Sequence, residues 1–138
     1  MGKMKYKFLE HTADIKFQSE GKTLDKAFTN AGYALLEIIT DKEKIKAIKK
    51  KKISVKGKDK EQLLLNFLEE FLFLLDSEDF VVGKIEKLKI KENELVAELI
   101  GDKASKYDFS NSVKAITYNE MRVEKKGKNF ICQVVLDV

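Results

Sequence analysis

Leu63, Leu64, Phe67, Leu68, Phe71, Leu72, Leu74 and Leu75 crowd into one short stretch and recur every three or four positions. That period belongs to an α-helix with a broad apolar stripe. Each side chain is worth about 2 kcal/mol when fully buried, so the stripe predicts a core helix. Asp59 stands where an N-cap is wanted, and Gln62, three residues on, completes a capping box. Beyond Ser77 the period changes from helical to two, which demands strands rather than more helix.

The rest of the chain yields to the same test. Residues 8–12 end a short first strand, and Ile15, Phe17 and Ser19 alternate as a second. Gly21 and Lys22 form a turn, Thr23 is an N-cap, and Leu24, Ala27, Phe28, Ala31, Leu35, Ile38 and Ile39 mark a helix ending near Thr40. Ile53 and Val55 belong to a strand closed by Gly57. Val82, Ile85, Leu88 and Ile90 lie on a long strand whose register Gly83 shifts, and Leu95, Ala97 and Leu99 return after a turn at 91–94. Residues 101–111 are polar and loop-like. Residues 113–123 and 129–136 form a last hairpin around 126–128, with Phe130, Cys132, Val134 and Leu136 on one face and Ile131, Gln133, Val135 and Asp137 on the other. The order β-β-α-β-α-β-β-β-β predicts a single α+β domain over residues 1–138. Its two helices pack on a mixed, mostly antiparallel sheet of about seven or eight strands.

Composition narrows function. The 138 residues suffice for one domain with a real core. No apolar run approaches the roughly 18 residues of a membrane span and no signal-like segment follows the start, so a cytoplasmic, unexported protein is expected. Charged residues make up 36% of the chain, yet the net charge is only +4, and Arg122 is the single arginine. Arginine is the usual reader of guanine edges, so sequence-specific nucleic-acid readout is disfavoured. There is no Gly-rich phosphate loop and no C-x-x-C pair. With one histidine, His11, and one cysteine, Cys132, neither a His/Cys metal cage nor a Cys-His pair is to be expected. Cys132 reads as a small buried hydrophobe in a strand.

Three features remain. His11-Thr12-Ala13-Asp14 is a polar turn between two short strands, and Asp137 is the only acid in an otherwise apolar last strand, beside the α-carboxylate of Val138. Were these segments to lie side by side, Asp14, Asp137 and the Val138 carboxylate would form an all-oxygen anionic cluster, which calls for a hard divalent cation or shifted protonation. Spacing alone equally allows Asp14 as a turn residue and Asp137 as a solvated strand end. The third feature is a run of ten lysines between residues 42 and 60, including 49–52. Alternation places Lys50 and Lys52 on one strand face and Lys49 and Lys51 on the other. They read as guards of an edge strand or as an electrostatic footprint for RNA or an acidic partner.

Four segments together carry a resemblance. His11-Thr12-Ala13-Asp14-Ile15 with Gly21, Leu24 and Ala27-Phe28 is similar to the N-terminal signature of the archease family. Lys60-Glu61-Gln62-Leu63-Leu64 running into Phe67-Leu68 resembles its second helix. Val113-Lys114-Ala115-Ile116-Thr117-Tyr118 resembles its V-K-A-x-T-Y segment, and Val134-Val135-Leu136-Asp137-Val138 its terminal strand. Asn119 and Ser110-Asn111-Ser112 stand where the family often has histidine. The resemblance implies an accessory protein, not an enzyme, that activates an RtcB-type tRNA-splicing ligase. It would promote the GTP-dependent guanylylation of the ligase and its multiple turnover. It implies a divalent metal ion, calcium or manganese, held by Asp14, Asp137 and Val138, and contact with tRNA only through the ligase, with no membrane. Two other roles stay open: a chaperone-like modulator of a tRNA-modifying enzyme such as a methyltransferase, and a small metal-dependent hydrolase using Asp14 and Asp137.

Overall fold

Both helices begin at the caps the sequence offers. A computed structural model describes residues 6–9, 14–40, 44–109 and 113–138. The elements are β1 (Tyr6–Leu9), β2 (Ile15–Gly21), α1 (Leu24–Thr40), β3 (Lys49–Lys56), α2 (Lys60–Glu78), β4 (Phe80–Lys91), β5 (Glu94–Lys103), a 3₁₀ turn (Ala104–Lys106), β6 (Ala115–Lys126) and β7 (Asn129–Asp137). The Lys26 N–H donates to the Thr23 hydroxyl at 3.1 Å, capping α1. The Gln62 N–H donates to the Asp59 carboxylate at 2.8 Å, capping α2. The Gln62 side chain reaches back one residue further than a capping box requires, accepting from the Lys58 N–H at 2.8 Å. Residues 10–13, which include the end of the expected first strand and most of the His11 turn, lie outside the described residues.

The α+β class and the element order hold, but the strands form two sheets where one was expected. One is ordered β1-β2-β7-β6 and the other β3-β5-β4. Every pairing is antiparallel. Alternation tells which way a strand's side chains point, not which strand lies beside it. The helices resolve it: α1 packs on β2 and β7 of the first sheet and β4 of the second, and α2 on β6 of the first and on the whole of the second. One cluster of buried side chains runs through both sheets, with Phe28, Phe67 and Phe71 among its largest members. Phe67 and Phe71 meet edge to face at 5.2 Å. Of the ten apolar residues of α2, six are buried, Leu65, Leu72 and Leu75 partly so, and Phe73 is exposed.

Gly83 breaks the register of β4 as its position implies, and a second shift follows between Glu86 and Lys89. The polar stretch after residue 100 is more ordered than a loop. β5 runs on to Lys103 because Asp102, though almost fully buried, is satisfied locally. Its carboxylate accepts from the Lys103 N–H and the Tyr107 hydroxyl, both at 2.8 Å, and lies 3.4 Å from the Lys106 ammonium.

Candidate functional site

Two of the expected site residues, Asp137 and Val138, lie at the end of β7, and Asp14 directly precedes β2. β2 and β7 pair from Gly21↔Phe130 to Ile15↔Leu136. Asp14 immediately precedes β2 and Asp137 is the last residue of β7, each one position beyond the Ile15↔Leu136 pair, and Ala115 of β6 pairs with Asp137 from the other side. The Lys114 N–H donates to the Asp137 carbonyl at 2.8 Å, tying the approach to β6 to this end. Asp14 is half-buried, whereas Asp137 and Val138 are exposed. Pleating puts Asp137 on one face with Lys16, Val135 and Thr117, and turns Ile15, Leu136 and Ile116 toward the core.

That face is not plainly solvated. Val135 is 1% exposed and Gln133 4%. Beside it on β6, residues 118–121 stand against Val134 alone as the register jumps from Thr117↔Val135 to Arg122↔Gln133. Glu120 takes a positive φ of 58° in this bulge. Its carboxylate meets the Lys16 ammonium at 2.9 Å, and its carbonyl accepts from Gln133 at 2.9 Å. Gln133 in turn accepts from the Gln18 amide at 2.8 Å. Thr117, two residues from Ala115 on the same face, has a buried hydroxyl with no hydrogen-bond partner among the described residues. The sequence marked Thr117 only as part of the V-K-A-x-T-Y segment and did not mark Glu120. The signal available for Glu120 was Asn119-Glu120, two polar residues in a strand, flanked by Tyr118 and Met121.

The donors at this end are carboxylates and a hydroxyl, the oxygen set a hard cation takes. Among the described residues no three His, Cys, Asp or Glu side chains are grouped to hold a metal, so two aspartates alone do not make a complete cage. His11 lies outside the described residues. Cys132 is no rival site: it is buried opposite Ser19, and burial pushes its thiol up to about 12, while the Ser19 hydroxyl pulls the other way.

Comparison with known proteins decides the relationship, because the archease protein family model matches residues 6–138. The chain belongs to the archease family. Archeases of Methanosarcina mazei and Sulfurisphaera tokodaii are 35% and 36% identical, each over 97% of this chain and 96% and 99% of their own. The Pyrococcus furiosus archease is 38% identical over 94% of this chain and 95% of its own. The solution structure of Methanobacterium thermoautotrophicum protein 1598 superposes with a TM-score of 0.82 at 26% identity, covering 99% of this chain and 100% of that one. A crystal structure of a Thermotoga maritima archease, described there as a possible chaperone, shares the fold with a TM-score of 0.69 at 22% identity over 94% of each chain. No helix among the described residues is long and apolar enough to cross a membrane.

Proposed function

We propose that this archease is an accessory protein of an RtcB-type tRNA-splicing ligase and acts through the acidic end of β2 and β7. The observation that supports the proposal is the β2–β7 register, which ends at Ile15↔Leu136 and leaves Asp14 and Asp137 as the next residue on each strand. Val138 follows Asp137 directly, and the α-carboxylate it carries when the chain ends there is the third oxygen donor of the set. Three such anions repel one another and are reconciled by a divalent cation, calcium or manganese. The cation would supply compensating positive charge; Asp14, Asp137 and the terminal carboxylate would hold it at an exposed sheet end that a larger partner can approach. The chemistry remains with the ligase, whose GTP-dependent guanylylation the archease accelerates.

A role as activator rather than enzyme fits the side chains in the core. Cys132 is held as a thiol by burial, and the buried Ser19 hydroxyl donates to the Ala27 carbonyl at 2.8 Å, which engages it as part of the α1–β2 packing. The test is ligase guanylylation with radiolabelled GTP, with and without this protein, at limiting ligase and in excess RNA ends. A faster guanylylation and more turnovers per ligase are expected. No change in either would refute the role. Turnover of nucleotide or RNA by the archease alone would assign it to a hydrolase instead.

A further inference from the structure

The outer face of the three-stranded sheet carries all of the molecule's net charge. On β3, Lys50, Lys52 and Lys56 point outward; on β4, Lys84, Lys87, Lys89 and Lys91 do so; all seven are exposed. Between them β5 presents Glu94, Val96, Glu98 and Ile100, and β4 adds Glu86. Seven lysines against three glutamates leave this face at +4, equal to the formal charge of the whole chain, so the remaining surface is balanced. Lys51 takes the other side of β3, bonded to Glu78 of α2 at 2.5 Å.

The register sets the lysines in two columns. Lys50 and Lys84 flank Ile100, and Lys56 and Lys91 flank Glu94. Two strand spacings separate the columns, about 10 Å, and successive outward residues on a strand lie about 7 Å apart. The glutamates are taken up by four of the lysines: Glu98 lies 3.2 Å from Lys50 and 3.8 Å from Lys87, Glu94 3.8 Å from Lys56, and Glu86 2.8 Å from Lys84. Lys52, Lys89 and Lys91 have no such partner among the described residues.

The chemistry of this face selects among anionic partners. It has no aromatic residue, so unpaired bases find no platform to stack on. It has no Trp, Tyr or Arg, the anchors that carry protein–protein affinity. What it offers is two parallel rows of point charges on an open surface. A three-stranded sheet presented by its broad face does not reach the floor of a deep groove, and the B-form minor groove, about 6 Å wide, is narrower than the rows are apart. The A-form minor groove is wide and shallow, with phosphates along both borders. We propose that the outer face of β3, β5 and β4 docks double-stranded RNA by its phosphate ridges, without reading its sequence. This goes beyond the ligase reading and does not depend on it.

The experiment uses the archease alone and a fluorescein-labelled 20-base-pair RNA duplex, followed by anisotropy from low to physiological salt. Binding in the micromolar range at 50 mM salt is expected, weakening steeply as salt rises. Replacing Lys52, Lys89 and Lys91 together by Gln should weaken binding at least tenfold at 50 mM salt. The slope of log affinity on log salt should become shallower by about three, roughly one per lysine. Replacing Lys22, Lys126 and Lys128, exposed elsewhere, makes the same charge change and should leave affinity within about twofold. Circular dichroism checks that both variants are folded. Duplex DNA and single-stranded RNA should bind more weakly than duplex RNA. No binding of duplex RNA at 100 μM protein, or an equal loss in the two variants, overturns the proposal. Poly-glutamate bound as tightly as the duplex also overturns it, and assigns the face to an acidic protein.

Discussion

Gly101→Ala tests how closely β4 and β5 approach. Gly101 lies between Lys49 of β3 and Val82 of β4, where the register of β4 shifts. A Cβ on Gly101 would stand 1.9 Å from the Val81 carbonyl oxygen and 2.9 Å from the Val81 carbonyl carbon. Both are backbone atoms, so no rotamer change relieves the clash. A carbon and a carbonyl oxygen rest in contact at about 3.3 Å, so the strands must part by more than 1 Å. Ladder bonds near 2.9 Å do not survive that displacement. Two bonds lost at about 1 kcal/mol each, with overpacking strain of about 1–3 kcal/mol, give a cost of roughly 3–5 kcal/mol. Gly127→Ala is the matched control. Gly127 has a φ of +64° and nothing within 4 Å of its added Cβ, so it carries only the left-handed penalty of about 1 kcal/mol. With a urea slope near 2 kcal/mol/M, the midpoint should fall by roughly 2 M for the first variant and about 0.5 M for the second. Equal shifts, or a loss under 1 kcal/mol for Gly101→Ala, would refute the close approach.

Three further outcomes follow from the same structure. The Lys103 N–H, with help from the Tyr107 hydroxyl and the Lys106 ammonium, holds the Asp102 carboxyl below its ordinary value of 3.8, against the opposing pull of desolvation. Its stabilisation is therefore complete above that value and is lost as pH falls through the lower folded value; urea midpoints of wild type and Asp102→Asn should converge below pH 3.8, and a gap that widens in acid would contradict this. Cys132, fully buried with its thiol pushed up to about 12, should react with a thiol reagent at pH 8 only in denaturant; labelling of the native protein within seconds would show the site to be open. A C-terminal tag turns the Val138 α-carboxylate into a neutral amide, so calorimetric titration with Mn²⁺ or Ca²⁺ should show weaker binding than the same tag on Met1, and equal affinity would remove that carboxylate from the site.

Much of this was legible because it is local. Thr23 and Asp59 cap their helices as their residue types allow, and the 3.6-residue stripe of α2 faces the core. The alternation of Cys132, Val134 and Leu136 marks the core face of β7 correctly. What failed is non-local. Which strand neighbours which is set by how both helices find cover, so seven strands split into two sheets without any mark in the period-two pattern. Gln133 and Val135 sit on what alternation reads as the outer face, yet both are buried, and Gln133 donates to the Glu120 carbonyl in the β6 bulge. Asp102 looks like a loop residue until Tyr107, five positions on, is folded against it. At the candidate site the acids were legible by type, but that they flank the end of one strand pair depends on the register between β2 and β7, more than a hundred residues apart. The lysines of β3 alternated as expected, while the matching column on β4 became visible only through the pairing with β5.

The most direct measurement of the acidic site is the rate of ligase guanylylation with wild-type archease, Asp14→Ala and Asp137→Ala, each at saturating concentration. Neither aspartate belongs to the core, so all three proteins should give the same circular dichroism spectrum. The expected result is that each substitution returns the rate to that of the ligase alone. Full activation by both folded variants would contradict a functional site at this end of the sheet.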